Sequence, residues 1–319
     1  MTKALITGIK GFAGSHLAEL LLSKGYQVCG IDYDLDNTRN LEHIRDRLAL
    51  HECDIRDAAK VSEIISQSKP DEIYHLAAIA HVPTSCRDPR LTFEVNLFGT
   101  LNLLEAVKSV SWDIKVLYVG SASEYGAVTE ADLPIDEGAC FRPVDPYSVS
   151  KVSADMLAFQ YLKSFNMHIV RVRPFNYIGP RQSPDYVVSG FVKQIAEIEK
   201  GLKEPVIMVG NLEAKRDFTD VRDMVRAYWL GLQKATPGEV YNICSGKAIQ
   251  IKGLLSKLLQ LSSAKIEVKE DRSRLRPADV PLLHGDCSKF KSQTRWGAEI
   301  PLEKTLKDTL KYWRNKLES

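Results

Sequence analysis

Tyr147 and Lys151 stand four residues apart in Tyr147-Ser148-Val149-Ser150-Lys151, a spacing that puts a phenol and an ammonium on one helix face. An ammonium beside a phenol lowers its pKa from about 10, so that it can exchange a proton with an alcohol or ketone oxygen near neutral pH. Ser121, in Gly120-Ser121-Ala122-Ser123 behind an apolar run, is placed to bind the same oxygen. Read alone, Tyr147 is an amphipathic surface tyrosine. With Ser121 upstream and a glycine-rich turn near the start of the chain, a proton-transfer set is the better reading.

That turn is Gly8-Ile9-Lys10-Gly11-Phe12-Ala13-Gly14, directly after Ala4-Leu5-Ile6-Thr7. Glycines let backbone approach a pyrophosphate, and the N-terminus of the following helix favours its negative charge. Gly8, Gly11, Phe12, Ala13 and Gly14 are therefore cofactor-binding candidates. Asp32 closes the next β-type run, where a carboxylate can bind the adenosine ribose hydroxyls, which favours NAD over NADP. Arg39, a few residues on, keeps a ribose phosphate open, and a turn or cap role for Asp32 is the plainer alternative. Asp54 and Ile55 fit an adenine contact, and Leu76-Ala77-Ala78 offers small residues where backbone must pass a cofactor or pack tightly.

These residues need a frame. Short β-type runs at Ala4–Thr7, Gln27–Ile31, Leu48–Glu52, Glu72–Leu76, Lys115–Val119 and His168–Arg173 alternate with helical patterns. The alternation predicts an α/β fold, a doubly wound parallel (Rossmann) sheet with ligand at the carboxyl ends of its strands. One helix follows the first strand and ends at Gly25, another runs from Thr92 to Val107, and Pro146 opens the helix of Tyr147. Beyond Pro174 lie Pro, Gly and Asn punctuation and helices at Phe191–Lys200, Val221–Gln233 and Leu302–Lys316. Residues 1–173 are expected to form the dinucleotide-binding domain. Residues 174–319 are expected to form mainly a smaller, intimately packed C-terminal substrate lobe, with the chain free to cross between the two.

A chain of 319 residues with 44% hydrophobic content can bury an ordinary core, and a net charge of +2 gives no overall field for nucleic acid or an anionic membrane. The six cysteines show no Cys-x-x-Cys spacing, so reduced, buried thiols are expected rather than a metal or redox site. Met1-Thr2-Lys3 runs straight into a strand without a signal sequence, and no apolar stretch approaches the ~20 residues of a membrane span, so a cytoplasmic protein is expected.

Gly8-x-x-Gly11-x-x-Gly14, Asp32, Ser121 and Tyr147-x-x-x-Lys151 together resemble the extended short-chain dehydrogenase/reductase family, over essentially the whole chain. Arg173 to Pro180, Gly210 to Phe218 and Arg274 to Asp279 resemble the members that handle GDP-mannose and its derivatives, with the 4-keto-6-deoxymannose reductases as the nearest pattern. The resemblance implies NAD(P)H-dependent reduction of the 4-keto group of a GDP-linked 4-keto-6-deoxyhexose to GDP-D-rhamnose. It implies Ser121, Tyr147 and Lys151 as the catalytic set, with Tyr147 and Lys151 also on the cofactor, no metal, and a homodimer built on the Tyr147 helix and its Thr92–Val107 neighbour.

Substrate-binding candidates are Ser121, Ser123, Asn176, Lys193, Arg216 and Arg276. The two arginines suit a diphosphate, since guanidinium donates paired hydrogen bonds, although Arg216 with Asp217 and Arg276 with Asp279 are possible surface pairs. Asn176 has a turn role as its alternative, and Lys193 a solvated one. Dehydratases of the same group carry a glutamate two residues after the position of Ser121, where this chain has Ser123, with Glu124 one step further. A serine without a base is poor at removing a C5 proton. The alternatives are GDP-mannose 4,6-dehydratase, a nucleotide-sugar 4-epimerase, and a non-enzymatic cofactor-binding sensor or scaffold.

Overall fold

Short apolar runs without polar alternation must be buried on both faces, which a parallel sheet achieves with helices on each side. The computed structural model, which describes residues 1–111, 113–271 and 281–318, has this arrangement. The strands are β1 (Lys3–Thr7), β2 (Gln27–Asp32), β3 (Leu48–Glu52), β4 (Glu72–His75), β5 (Lys115–Val119), β6 (Ile169–Pro174), β7 (Asn176–Ile178), β8 (Val206–Val209), β9 (Lys215–Asp220), β10 (Val240–Ile243), β11 (Ala248–Gln250), β12 (Glu267–Glu270) and β13 (Leu282–Leu283). The α-helices are α1 (Phe12–Ser23), α2 (Ala58–Ser68), α3 (Val82–Arg87), α4 (Pro89–Phe93), α5 (Gly99–Val110), α6 (Pro146–Phe165), α7 (Val187–Glu199), α8 (Val221–Lys234), α9 (Ile251–Gln260), α10 (Ser288–Thr294) and α11 (Leu302–Lys316).

Seven strands form one parallel sheet in the order β10-β6-β5-β4-β1-β2-β3. All six runs read from the sequence are in it; β10, which joins beside β6, was not foreseen. Leu17 and Leu21 of α1 with Met224 and Tyr228 of α8 cover one face. Val61 and Ile65 of α2, Leu103 and Val107 of α5, and Ala154 and Ala158 of α6 cover the other. Strand order reverses at β1, flanked by β2 and β4, so the crevice for a ligand opens where the glycine turn leaves β1.

A third core, with Val192, Ile195, Leu254, Leu258, Leu306 and Trp313, holds α7, α9 and α11 together. With β9 and its partners β7, β11 and β13 these helices form the smaller lobe. The chain first leaves the large sheet after Pro174, but α8 and β10 return to it, so residues beyond 174 serve both lobes.

The single helix expected over Thr92–Val107 is corrected. A π-helical turn, Glu94–Phe98, separates α4 from α5. The wider turn delivers Asn96, whose amide donates to Ile79 O at 3.0 Å and to Ser150 Oγ at 2.9 Å, while its Oδ1 accepts from Ile79 N at 2.8 Å. These bonds tie the loop after β4 to α6, and π-turns of this kind are frequent at functional sites.

Candidate active site

Gly14 shows why the glycine turn admits nothing larger: a Cβ there would lie 2.2 Å from Gly8 O. The turn thus packs backbone on backbone, and Gly11 as N-cap brings no side chain to the free N–H groups opening α1. Asp32 is buried at the end of β2; Lys10 N donates to its Oδ2 at 3.1 Å and Tyr33 N to its Oδ1 at 3.1 Å. Burial pushes this carboxyl up, against the Lys10 contacts that pull it down. Arg39 is exposed and outside the cleft wall; Asn40 lines it instead, its amide on Lys10 O at 3.1 Å. Asp54, Ile55, Leu76, Ala77 and Ala78 line the same end. The small-residue segment is held by Thr7 Oγ1, which accepts from both Leu76 N and Ala77 N at 3.1 Å. Thr7 then donates to His75 Nδ1 at 2.8 Å, and His75 Nε2 donates to Thr100 Oγ1 at 2.9 Å, a tautomer assigned from its neighbours. Full burial keeps that ring neutral, with a pKa of about 3.

The proton-transfer set comes together on the sheet side of the cleft. Asp145 caps α6 by accepting from Ser148 N at 2.8 Å, and Pro146 occupies the first turn, so the helix starts where Tyr147 meets the end of β5. The Ser121 hydroxyl is near enough to the Tyr147 hydroxyl to influence it, and Tyr147 N donates to Ser85 Oγ at 3.2 Å. Lys151 is buried and donates to Val119 O at 2.7 Å. The expectation that Lys151 lowers the phenol pKa is corrected. Burial is the largest influence on Tyr147 and pushes it up, with the Ser121 hydroxyl as the opposing pull. Burial also brings the Lys151 ammonium down to about 8, against support from Glu124 and Asp155. A phenol held above its usual range stays protonated at neutral pH, the state a proton donor to an alkoxide needs.

Ser123 and Glu124 separate cleanly. Ser123 lines the cleft, whereas Glu124 is fully buried behind it and accepts from Ser121 N at 2.8 Å and Arg173 Nε at 2.9 Å. Across the cleft, Asn176 is exposed and Arg216 half-buried, both on the wall. The carboxylate of Asp217, the alternative partner of Arg216, is taken by Ser245 N and Gly246 N, each at 2.8 Å. Lys193 is not in the wall, which corrects that assignment. Residues 190, 191 and 194 of α7 face the cleft, while Lys193 lies 3.5 Å from Glu197 and over the Trp313 ring. Arg276 and Asp279 lie outside the described residues.

Sequence reading missed several wall residues. Tyr177 stacks on Phe12 with ring centroids 5.6 Å apart. Arg181, in the left-handed region at φ 77°, bonds Glu19 of α1. Gln182 donates to Tyr177 O at 2.9 Å while its buried Oε1 has no partner. The Gly-Pro-Arg-Gln run after β7 was the available signal for the last two. The cleft encloses about 1460 Å³ between the two lobes. That exceeds the roughly 300–1,000 Å³ of a single-ligand site and has room for a dinucleotide and a nucleotide sugar together.

Residues 5–309 match the family model described as GDP-mannose 4,6 dehydratase. The chain belongs to this family. It is 32% identical over 318 residues to GDP-6-deoxy-D-mannose reductase of Pseudomonas aeruginosa, covering 99% of each chain. It is 34% identical to GDP-mannose 4,6-dehydratase of Yersinia enterocolitica, covering 95% of this chain and 91% of that one. The solved structure of RMD from P. aeruginosa complexed with NADPH superposes with a TM-score of 0.86 at 32% identity, covering 99% of this chain and all of that one. The family carries the extended short-chain dehydrogenase/reductase fold, as the motifs implied.

Proposed function

We propose that this protein is an NAD(P)H-dependent oxidoreductase that reduces the 4-keto group of GDP-4-keto-6-deoxy-D-mannose to give GDP-D-rhamnose. The carrying observation is the Ser121 turn: the side chain facing the cleft where a dehydratase of the family needs its carboxylate is Ser123, and Glu124 is locked away behind it. Similarity to a reductase over the full length supports the same reading.

The residues present fit a dinucleotide. The bare α1 N-terminus and the glycine contact that excludes a Cβ would receive its pyrophosphate, Asp32 would hold its adenosine ribose, and Tyr147 and Lys151 its nicotinamide ribose. A bound reduced nicotinamide supplies the hydride. Ser121 donates to the keto oxygen and orients it, and Tyr147 passes its proton to that oxygen as it gains negative charge. Lys151 balances the phenolate left behind. Arg216, with Arg276, neutralises the substrate diphosphate, and Asn176 and Ser123 donate to sugar or phosphate oxygens.

A homodimer is part of this reading. Val149, Met156 and Phe159 on α6 and Phe98 beside α5 are exposed apolar side chains, and two copies would cover them in a four-helix contact. Among the described residues no helix is long and apolar enough to cross a membrane.

The test is to supply GDP-4-keto-6-deoxymannose with NADH or NADPH, follow nicotinamide absorbance and determine the product by NMR. Oxidation of cofactor with formation of GDP-rhamnose is expected. Conversion of GDP-mannose to the keto sugar without added reductant would replace this reading with the dehydratase.

A further inference from the structure

Behind the Ser121 turn lies a set of buried charges that the mechanism above leaves unused. Glu124 contributes one oxygen to Ser121 N and the other to Arg173 Nε. Arg173 also donates through Nη2 to Asp155 Oδ2 at 2.5 Å, and Arg171 Nη1 donates to Asp155 Oδ1 at 2.9 Å. The Arg173 guanidinium is stacked against Phe141 at 4.5 Å and Tyr125 at 5.3 Å, so β6 and α6 meet through a fixed cation. Gly120 completes the fit, because a Cβ there would lie 2.4 Å from Glu124 Oε1.

Stability does not explain the arrangement, since apolar side chains of similar volume usually serve as well as buried ion pairs. Its position does. The cluster touches the backbone of Ser121 on one side and faces Lys151 on the other. Lys151 shares the buried face of α6 with Tyr147 one turn back and Asp155 one turn on; its ammonium meets the Val119 carbonyl and lies 5.3 Å from the Tyr118 ring, with neutral His75 nearby, and Glu124 and Asp155 act on it as charges. We infer that Glu124, clamped with Asp155 by Arg173, is a positioning residue for the reduction: it fixes Ser121 toward the keto oxygen and supports the Lys151 ammonium from behind. Burial and Asp155 push the Glu124 carboxyl up, against the pull of Arg173, the Ser121 N–H and Lys151, so Glu124 and Lys151 titrate as a coupled pair. The inference rests on the reductase reading of this site.

Glu124→Gln keeps the length of the side chain but leaves one of its two donors facing an amide N–H. Turnover of the keto sugar is expected to fall about 10- to 100-fold, with KM and NADPH affinity held within about twofold. The alkaline limb of kcat is expected to move down by about one pH unit, because Lys151 loses a facing carboxylate. Asp155→Asn makes no bond to the Ser121 turn. It should move the alkaline limb in the same direction but less far, because a Glu124 carboxyl freed of Asp155 ionises more readily beside Lys151, and with a smaller loss of kcat. Wild-type kcat and an unmoved pH profile in Glu124→Gln would overturn the inference. If that variant does not fold, Asp155→Asn decides: a lowered alkaline limb supports the inference and an unmoved one overturns it. A wild-type protein that oxidises neither cofactor with the keto sugar removes the reductase reading and this inference together, whereas an active wild type with unmoved variants removes the inference alone.

Discussion

The two walls of the cleft are built on different terms. On the sheet side, Tyr147 and Lys151 are 8% and 6% exposed and fixed by bonds to Ser85 and Val119. On the lobe side, Asn176 and Asn211 are exposed and Arg216 half-buried. Groups fixed before substrate arrives stabilise the transition state without reorganisation, whereas exposed side chains must be ordered by the substrate they bind. On the proposed function, the first wall is the one suited to chemistry and the second the one suited to recognition. Kinetics can separate the two.

Tyr147→Phe is the strongest challenge to that division. It removes the proton and leaves the ring, so kcat should fall by about 10²- to 10⁴-fold while NADPH binding, followed by fluorescence titration, weakens by no more than about tenfold, the loss of one neutral hydrogen bond to the nicotinamide ribose. A variant that kept wild-type turnover would take the proton donor away from the sheet wall. Arg216→Ala addresses the other side. The loss of a hydrogen bond between charged groups, about 1.5–3 kcal/mol, predicts a KM for the nucleotide sugar raised roughly 10- to 100-fold with kcat little changed. A fall in kcat alone would mean that the lobe wall shares in the chemistry.

The asymmetry also explains what was legible in the sequence. β1 to β6 read clearly because each is a short run rich in apolar residues set between helical patterns, even where it carries charge, as β6 does at Arg171 and Arg173, or lies half-exposed, as β3 does, and the glycine turn because its backbone contacts admit no side chain. β10 did not. It is four residues long, and its Asn242 is buried for long-range reasons: Oδ1 accepts from Tyr125 OH at 2.7 Å and Nδ2 donates to Ile135 O at 2.9 Å. Asn96 was equally hidden, since its role depends on a π-turn that helical periodicity does not announce. Ser121, Tyr147 and Lys151 stand out as candidates through their spacing, but the direction of the Tyr147 shift does not, because spacing carries the ammonium and not the burial.

The Lys151 ammonium gives the sheet wall a pH signature. Its pKa is brought down to about 8, so the cation is present below that value and lost as pH rises through it. The kcat for reduction should hold toward neutral pH and decline above about pH 8, approaching a tenfold loss per pH unit. A profile flat to pH 10 would show that the cation is not needed in turnover. The same titration should leave the KM of the nucleotide sugar nearly unmoved, since Arg216 keeps its charge throughout.

The smallest expected effect tests how sharply the lobe wall is bounded. One face of α7 turns Gly190, Phe191 and Gln194 to the cleft, and Lys193 is rotated off it onto Glu197 and Trp313. Residues 187, 190, 191 and 194 follow the three- and four-residue spacing of one helix face and 193 falls outside it, so position along the chain is a poor guide to contact here. Lys193→Ala should leave both KM and kcat within about twofold of wild type, with the half-exposed Glu197 pair adding little to stability. A KM raised as far as in Arg216→Ala would show that α7 turns when substrate binds, and the lobe wall would then be assembled by the ligand.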